Sequence, residues 1–578
     1  MKKSAASLVR HALEQIGVRH TFGIPGVHNT EIYDELAASQ SIAPVLVAHE
    51  GGGAFMADAV SRTGAGLGCL VIVPAAGVTH AASGIGEAFL DGIPMLVIAG
   101  GIRRDTGRAY QLHDMDQHAL LRPITKGTWR VEKHADVAAT LYEAWRIAIS
   151  GEPGPVFVEI PVELQLIPGE AGEMPPLPPL PQATCNATSA ELERAAALLR
   201  HAERPGIFCG WGAVDATQLL EQFAERLGAP VATTLQGLSS FRGNHPLHAG
   251  FTIGPSAVPA SQNAFKGCDC LLAVGTRFAE IATGSYGFEP PANLVHIDIN
   301  PKVFGANYPA ATALEGDAGA VLAALLEKLG PVAGGEKRGT EVAARIAIDK
   351  KAYVDEWLAH DSGSRVNPAR FFHALRERLP DDGIVVADDG NHTFLTAELM
   401  PFHAPRSFFS PSDFNSMGYC VPGVIGAKLA RPERVVVGIA GDGAVRMTGL
   451  EMATAAAQGL GVVWFVFNDG ELAQISQAQQ VPYNRKTCTV LPPLDLEALA
   501  RANSVGFELI DGDSTIAGAM DRALQAAAAG RPVLVDVRID YSKRTRFTEG
   551  TIKTNLKRFD LGTRTRLVGR ALWRRLTG

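Results

Sequence analysis

Residues 435–471 read VVVGIAGDGAVRMTGLEMATAAAQGLGVVWFVFNDGE, two apolar runs each followed by a carboxylate, Asp442 after the first and Asp469 after the second. The runs at 435–439 and 462–467 are continuous and rich in β-branched and aromatic residues, the pattern of strands buried on both faces of a parallel sheet. Between them lies a helix's length of chain, and Thr448-Gly-Leu-Glu451 predicts a capping box at its start. The unit is strand, helix, strand. In such sheets ligands gather beyond the carboxyl ends of the strands, so Asp442 and Asp469 are expected on one rim. Gly441 and Gly443 let the backbone approach a bulky anion, and the helix N-terminus beyond them offers unpaired N–H groups. Two carboxylates repel an anion unless a cation lies between, and hard oxygen donors around a diphosphate call for Mg²⁺ or Ca²⁺. Spacing alone leaves Asn468 and Asp469 both open as the second ligand.

The same alternation runs along the chain. Short apolar strands such as LGCLVIV (67–73), PMLVIAG (94–100), CLLAVG (270–275), LVHIDI (294–299), IVVAD (384–388) and VLVDVRI (533–539) alternate with Ala-rich amphipathic stretches. That pattern predicts an α/β protein whose parallel sheets are covered on both faces. At 578 residues the chain is too long for one core. A Pro-rich segment at 168–189 and a weaker break at 331–364, with a helix expected before Pro368, divide it into three doubly wound domains at 1–167, 190–330 and 365–542.

Composition narrows the class. Hydrophobic residues make up 46% and charged residues 20%, a folded, non-disordered composition. The seven cysteines are odd in number and form no CxxC pair, so neither a disulfide framework nor a zinc site is indicated and a reducing cytoplasm is expected. Arg10, His11 and Glu14 interrupt the apolar start too early for a signal peptide, and no apolar run is long enough to span a bilayer. Residues 543–578 carry eleven Lys/Arg against Glu549 and Asp560, so a tail of about +9 is attached to a chain whose net charge is −7. Leu567, Val568, Ala571, Leu572 and Leu576 share one helical face there, suited either to an anionic membrane or, as the favoured reading, to packing over an acidic face or a site entrance.

GDG at 441–443 followed by ND at 468–469 resembles the metal–diphosphate motif of the thiamine-diphosphate-dependent enzymes. FGIPG (22–26), HEGGGAFMADAVSRTG (49–64), PAAGVTH (74–80), VHIDINP (295–301) and DDGNHTFL (388–395) stand in that family's order, closest to its acetolactate synthase, benzaldehyde lyase and 2-oxo acid decarboxylase group. The resemblance implies a pyrimidine-binding domain, a central domain and a diphosphate-binding domain, in a homodimer or homotetramer with the cofactor bridging two chains. It makes Asp442, Asp469 and the backbone carbonyl of Glu471 the Mg²⁺ ligands, and it decides for Asp469 over Asn468 although most relatives carry Asn there. Gly390, Asn391 and His392 match the diphosphate loop, with Gly441, Gly443 and Ala444 beside it. Met417 matches the residue that props the cofactor bent, and Asn415 the one presenting a carbonyl to its 4′-amine. Glu50 matches the glutamate that hydrogen-bonds the aminopyrimidine N1′ and so activates the cofactor.

On the substrate side, His28 falls where benzaldehyde-lyase-like relatives place an active-site histidine, suited to proton transfer. The competing reading is a helix cap for Asn29-Thr-Glu31. His113 or Gln111 occupies the place of a substrate-facing Gln, and Gln474 and Gln477 are expected in the pocket, with Ala478 where acetolactate synthases have Trp. RFAEI (277–281) puts Ile281 where those enzymes have a carboxylate-binding Arg, and LQGLSSF (235–241) lacks their Lys. The expected function is a lyase or carboligase acting on a small 2-oxo acid or ketone with a carbonyl or proton acceptor. Alternatives are a flavin-dependent 2-oxo acid oxidase at a membrane, a ring-cleaving diketone hydrolase, and a catalytically silent cofactor-binding subunit. GWGAVDA (210–216) and TRFAEIATG (276–284) lie where some relatives hold FAD.

Overall fold

A computed structural model describes residues 2–577 and contains three six-stranded sheets, every strand pairing within them parallel. In spatial order the first sheet runs Ala43–Leu46, His20–Gly23, Gly68–Ile72, Met95–Gly101, Pro155–Pro161, Thr128–Arg130. The second runs His248–Phe251, Val231–Thr233, Pro205–Cys209, Cys270–Val274, Asn293–Asp298, Thr312–Glu315. The third runs Phe408–Phe409, Ile384–Ala387, Val436–Gly441, Val463–Phe467, Val533–Val537, Gly506–Ile510. The doubly wound α/β architecture read from the apolar alternation is what the chain adopts.

Between the sheets, residues 171–188 form no helix or regular strand and meet the edge of the central sheet through the Cys185–Gly316 bridge and the hydrogen bonds of Asn186 to Glu315 and of Asp317 to the Thr184 carbonyl. Much of the second break is ordered differently from a linker: Gly335–Leu358 is a 24-residue helix with Ile346, Tyr353 and Trp357 buried. Among the described residues no helix is long and apolar enough to cross a membrane.

The first and third domains meet along the helix Glu50–Arg62, all of whose residues are buried. It crosses the helix Cys420–Ala430 at a glycine: a Cβ on Gly426 would lie 2.2 Å from the Met56 carbonyl oxygen. Beside this crossing Arg62, 1% exposed, donates from Nε to Asp58 at 2.5 Å and from Nη2 to Asp91 at 2.8 Å, while the Tyr419 hydroxyl donates to Asp58. A buried guanidinium is tolerable only with such partners.

The capping box at Thr448 does not form. The helix after the strand begins at Asp442 with Gly441 as its N-cap, so Thr448 sits in its last turn and donates instead to the Gly418 carbonyl. Glu451, 1% exposed, turns into the neighbouring domain, where its carboxylate accepts the backbone N–H groups of Ala48 and His49 at 3.1 and 3.0 Å. A buried carboxylate needs donors, and those two N–H groups lie just before a helix start, where none is available within the helix.

Candidate active site

The strands Val436–Gly441 and Val463–Phe467 are neighbours, with Gly441 opposite Phe467, so the chain after each emerges on one rim. There a cavity of about 130 Å³ is lined by Gly390, Asn391, His392, Asn415, Met417, Gly441, Asp442, Gly443, Ala444, Asp469, Glu471 and Gln474. Every residue expected on the diphosphate side is in this lining. Asp389, Phe467, Leu472, Ala473, Ile475 and Tyr541 complete it and were not expected.

The choice between Asn468 and Asp469 is made by side-chain direction: Asn468 turns away and donates to Asp536 at 3.1 Å, leaving Asp469 on the cavity. Burial raises Asp442 to about 6, and burial together with the charge of Asp442 raises Asp469 to about 7. Two carboxylates forced together and short of positive charge are the donor set of a hard divalent cation. The Glu471 side chain is committed elsewhere, to Lys486 Nζ at 2.5 Å and to the Ser476 hydroxyl, which leaves only its backbone for the site. Among the described residues no cluster of three or more His, Cys, Asp or Glu side chains forms a metal cage, so a cation here would draw its remaining ligands from backbone and from a bound anion.

Two buried polar atoms in the same lining, His392 Nε2 and Gln474 Oε1, have no hydrogen-bond partner among the described residues. Burial depresses His392 to about 3, so its ring is neutral at working pH. Two glycines admit that ring: a Cβ on Gly390, whose φ is 149°, would come within 2.7 Å of it and one on Gly441 within 3.2 Å. The Met417 methyl lies 3.5 Å from the Cβ position of Gly443, against the glycine turn. Its loop is fixed by Asp388, a buried carboxylate accepting the N–H groups of Gly418 and Cys420, each at 2.8 Å. The residues present therefore fit a diphosphate with a divalent cation. Gln477 departs from expectation: it donates to the Tyr541 carbonyl at 2.8 Å and accepts from Asn391 at 3.4 Å, bracing the wall instead of lining it.

The residues expected on the pyrimidine and substrate side lie elsewhere on the chain: Glu50, His28, His113 and Gln111 are absent from this lining. Glu50 opens the helix Glu50–Arg62 and is 5% exposed, its Oε2 2.9 Å from His80 Nδ1. His80 closes the PAAGVTH stretch (74–80) but was given no role from the sequence, because nothing local shows that its ring meets Glu50. His28 is not a helix cap, since the helix Thr30–Ala37 has Asn29 at its N-cap and no side-chain cap bond. Its Nδ1 instead lies 3.2 Å from His113 Nδ1, and burial, then the His113 charge, pushes His28 below the usual imidazole range. Gln111 and His28 line an open groove of about 400 Å³ with Arg103 and Leu112.

The tail's second helix, Leu561–Thr577, rests on the helix Ala473–Tyr483 that carries Gln474, with the guanidiniums of Arg570 and Arg574 each 5.4 Å from the Tyr483 ring centre.

Family models match along most of the chain: "Thiamine pyrophosphate enzyme, N-terminal TPP binding domain" over 3–120, the corresponding central domain over 192–325, and the C-terminal TPP binding domain over 388–537. An acetolactate synthase large subunit from Haemophilus influenzae is 30% identical over 557 residues, 94% of this chain and 96% of that protein. One from Parasynechococcus marenigrum is 32% identical over 556 residues, covering 93% and 87%, and one from Corynebacterium glutamicum 31% over 494 residues, covering 83% and 77%. With three matching domain models in order and relatives at 30% identity or more over most of its length, the chain belongs to the thiamine pyrophosphate (thiamine diphosphate) enzymes.

Proposed function

We propose that this enzyme is a Mg²⁺-dependent carboligase or decarboxylase of the acetolactate-synthase type, acting on a small 2-oxo acid or ketone. The observation that carries the reading is the cavity that gathers Asp442, Asp469, the glycine turn and the unpartnered His392 Nε2 on one rim. Asp442, Asp469 and the Glu471 carbonyl would hold Mg²⁺, and Gly390, Asn391, His392, Gly443 and Ala444 the diphosphate. Asn415 and Met417 would orient the ring end, and Glu50 would hold a proton against the aminopyrimidine. Bound there, thiamine diphosphate supplies an acidic carbon whose conjugate base adds to a carbonyl and takes up the electrons of the breaking C–C bond. His28 and His113 stand Nδ1 to Nδ1 at 3.2 Å, and His28, held by burial below the usual imidazole range, would accept a proton there. Gln111 and Gln474 would flank the substrate.

Because Glu50 and the histidine pair are absent from the diphosphate cavity, we read the complete site as formed by two copies in a homodimer or homotetramer. Exposed apolar residues around the parts support this, among them Val27, Leu112, Met447 and Leu450, each over 60% exposed. Seven free cysteines favour the cytoplasm as the place of action.

Acceptor choice differs from the named relatives. Ile281 packs on the apolar core, and Arg277 is committed to Asp413, Glu152 and the Leu90 carbonyl, so no guanidinium of this segment is free for a keto-acid carboxylate. An aldehyde, a diketone or a larger keto acid is the better acceptor. The cleft where relatives hold FAD contains Asp91, Glu152, Asp215, Asp298, Asp317 and Asp413 against only Arg277 and Arg406, both already paired. That lining does not fit a dinucleotide's diphosphate.

The test is a mass-spectrometric screen of 2-oxo acids and diketones, with and without aldehydes, in the presence of thiamine diphosphate and Mg²⁺. Condensation or decarboxylation products are expected. Turnover of a cyclic diketone without CO₂ would move the reading to a hydrolase, and no turnover over the panel despite tight cofactor binding would make the chain a silent binding subunit.

A further inference from the structure

We propose that His80 is the residue through which Glu50 exchanges its proton with solvent, a positioning and relay role that rests on the reading of Glu50 as the partner of the aminopyrimidine. Glu50 is 5% exposed, and His80 Nδ1, 2.9 Å from Oε2, is its one hydrogen-bond partner among the described residues. Oε1 lies beside Gly77, where an added Cβ would come within 3.3 Å, and is left open to a ligand. His80 sits in the helix Ala76–Asp91, and its side chain is 48% exposed, so the imidazole has one end on the buried carboxylate and the other within reach of water. The ring is held in that pose. It stacks on His49 with centroids 4.5 Å apart and planes 28° from parallel, and His49 is itself fixed because its Nδ1 accepts the Gly51 N–H at 3.0 Å.

Neighbouring ionisable groups are committed elsewhere. The Glu451 carboxylate takes the backbone N–H groups of Ala48 and His49 and the Thr454 hydroxyl, and the Tyr33 hydroxyl donates to the Val71 carbonyl. Among the described residues His80 is the one side chain that hydrogen-bonds Glu50 and is itself exposed. Since Glu50 accepts at Oε2, the His80 Nδ1 carries the hydrogen. The relay then balances: Nε2 takes a proton from water as the Nδ1 proton passes to Oε2, and the reverse sequence returns it, with no other bond changed.

The full-length protein, loaded with thiamine diphosphate and Mg²⁺, tests this through H/D exchange at the cofactor's C2 position, followed by acid quench and NMR, alongside calorimetric cofactor affinity. His80→Gln keeps a hydrogen bond to Glu50 but cannot relay, and His80→Gly opens space for free imidazole. Both should slow exchange about ten- to a hundredfold, the usual effect of removing a partner that orients a working group, with affinity near wild type. Added imidazole should restore His80→Gly and not His80→Gln. Wild-type exchange in His80→Gln, or a folded His80→Gly that imidazole does not rescue, would overturn the relay. Glu50→Gln separates the two readings: slow exchange there with wild-type exchange in His80→Gln rejects only the relay, and wild-type exchange in Glu50→Gln rejects the role of Glu50 itself.

Discussion

Asp442 and Asp469 show how position suits an ordinary side chain to the ligand role proposed for it. Each lies just past a strand end; burial raises the proton affinity of both, and the charge of Asp442 raises that of Asp469 further. Asp442→Ala should therefore leave the fold intact and reduce cofactor affinity by orders of magnitude, and EDTA should do the same to wild type; unchanged calorimetric binding in either experiment would contradict the metal-bridged reading. His28→Ala should slow product formation by about 10²–10⁴-fold, the usual range for a positioned acid–base, while C2 exchange of the cofactor stays near wild type. Normal turnover would transfer the role to His113. Asp388 is one of the buried carboxylates that contribute to the pH dependence. Burial lifts it to about 7, so the folded protein holds a proton there that the unfolded chain releases near pH 4. Its contribution to stability is thus present below about pH 4 and is lost as pH rises through 7. Asp388→Asn should cost about 1–3 kcal/mol by leaving a backbone donor unpaired and should flatten this decline, so that denaturant midpoints of the metal-free proteins converge between pH 5 and 8. A constant gap would show that Asp388 does not titrate in that window.

Helix Glu50–Arg62 carries Glu50 at its first position and is held by contacts on every side, so its placement sets where the carboxylate stands. The close approach of Gly426 to the Met56 carbonyl fixes its distance from the helix Cys420–Ala430. Gly426→Leu should force the two apart and destabilise by about 1–3 kcal/mol, the usual cost of overpacking, with a matching fall in thermal midpoint; an unchanged midpoint would mean the crossing is plastic. Glu451 ties the same helix start to the diphosphate domain. Its Thr–x–x–Glu spacing fits a capping box by pattern, and the pattern misleads because the helix already begins at Asp442, one residue past the strand. Local spacing cannot report a carboxylate satisfied by N–H groups some four hundred positions away.

At the scale of the whole molecule, the proposed two-copy site makes each chain a carrier of half-sites. The diphosphate cavity and the Glu50–His80 and His28–His113 pairs are separate constellations of one chain. In a symmetric dimer, mixing inactive Glu50→Gln with inactive Asp442→Ala should yield about a quarter of wild-type activity, because half of randomly assorted dimers would contain one intact site. Absence of recovery from verified mixed oligomers would place the complete site within one chain. The basic tail folds back on the helix that bears Gln474, so this surface too is completed by residues distant in sequence.

Strand runs, glycine turns and the carboxylates that follow them were legible in the chain because each depends on neighbours within a few residues: apolar continuity makes a buried strand, and whatever follows it stands on the rim. Asp442 was readable for that reason, whereas Gly390, His392 and the preference for Asp469 over Asn468 came from the family resemblance. Tyr541, the bracing role of Gln477, the His80–Glu50 contact, the direction of Asn468 and the reach of Glu451 were decided only by tertiary packing. In each of these a polar group takes its partner from another element, and burial enforces the pairing through the cost of leaving a donor or acceptor without one.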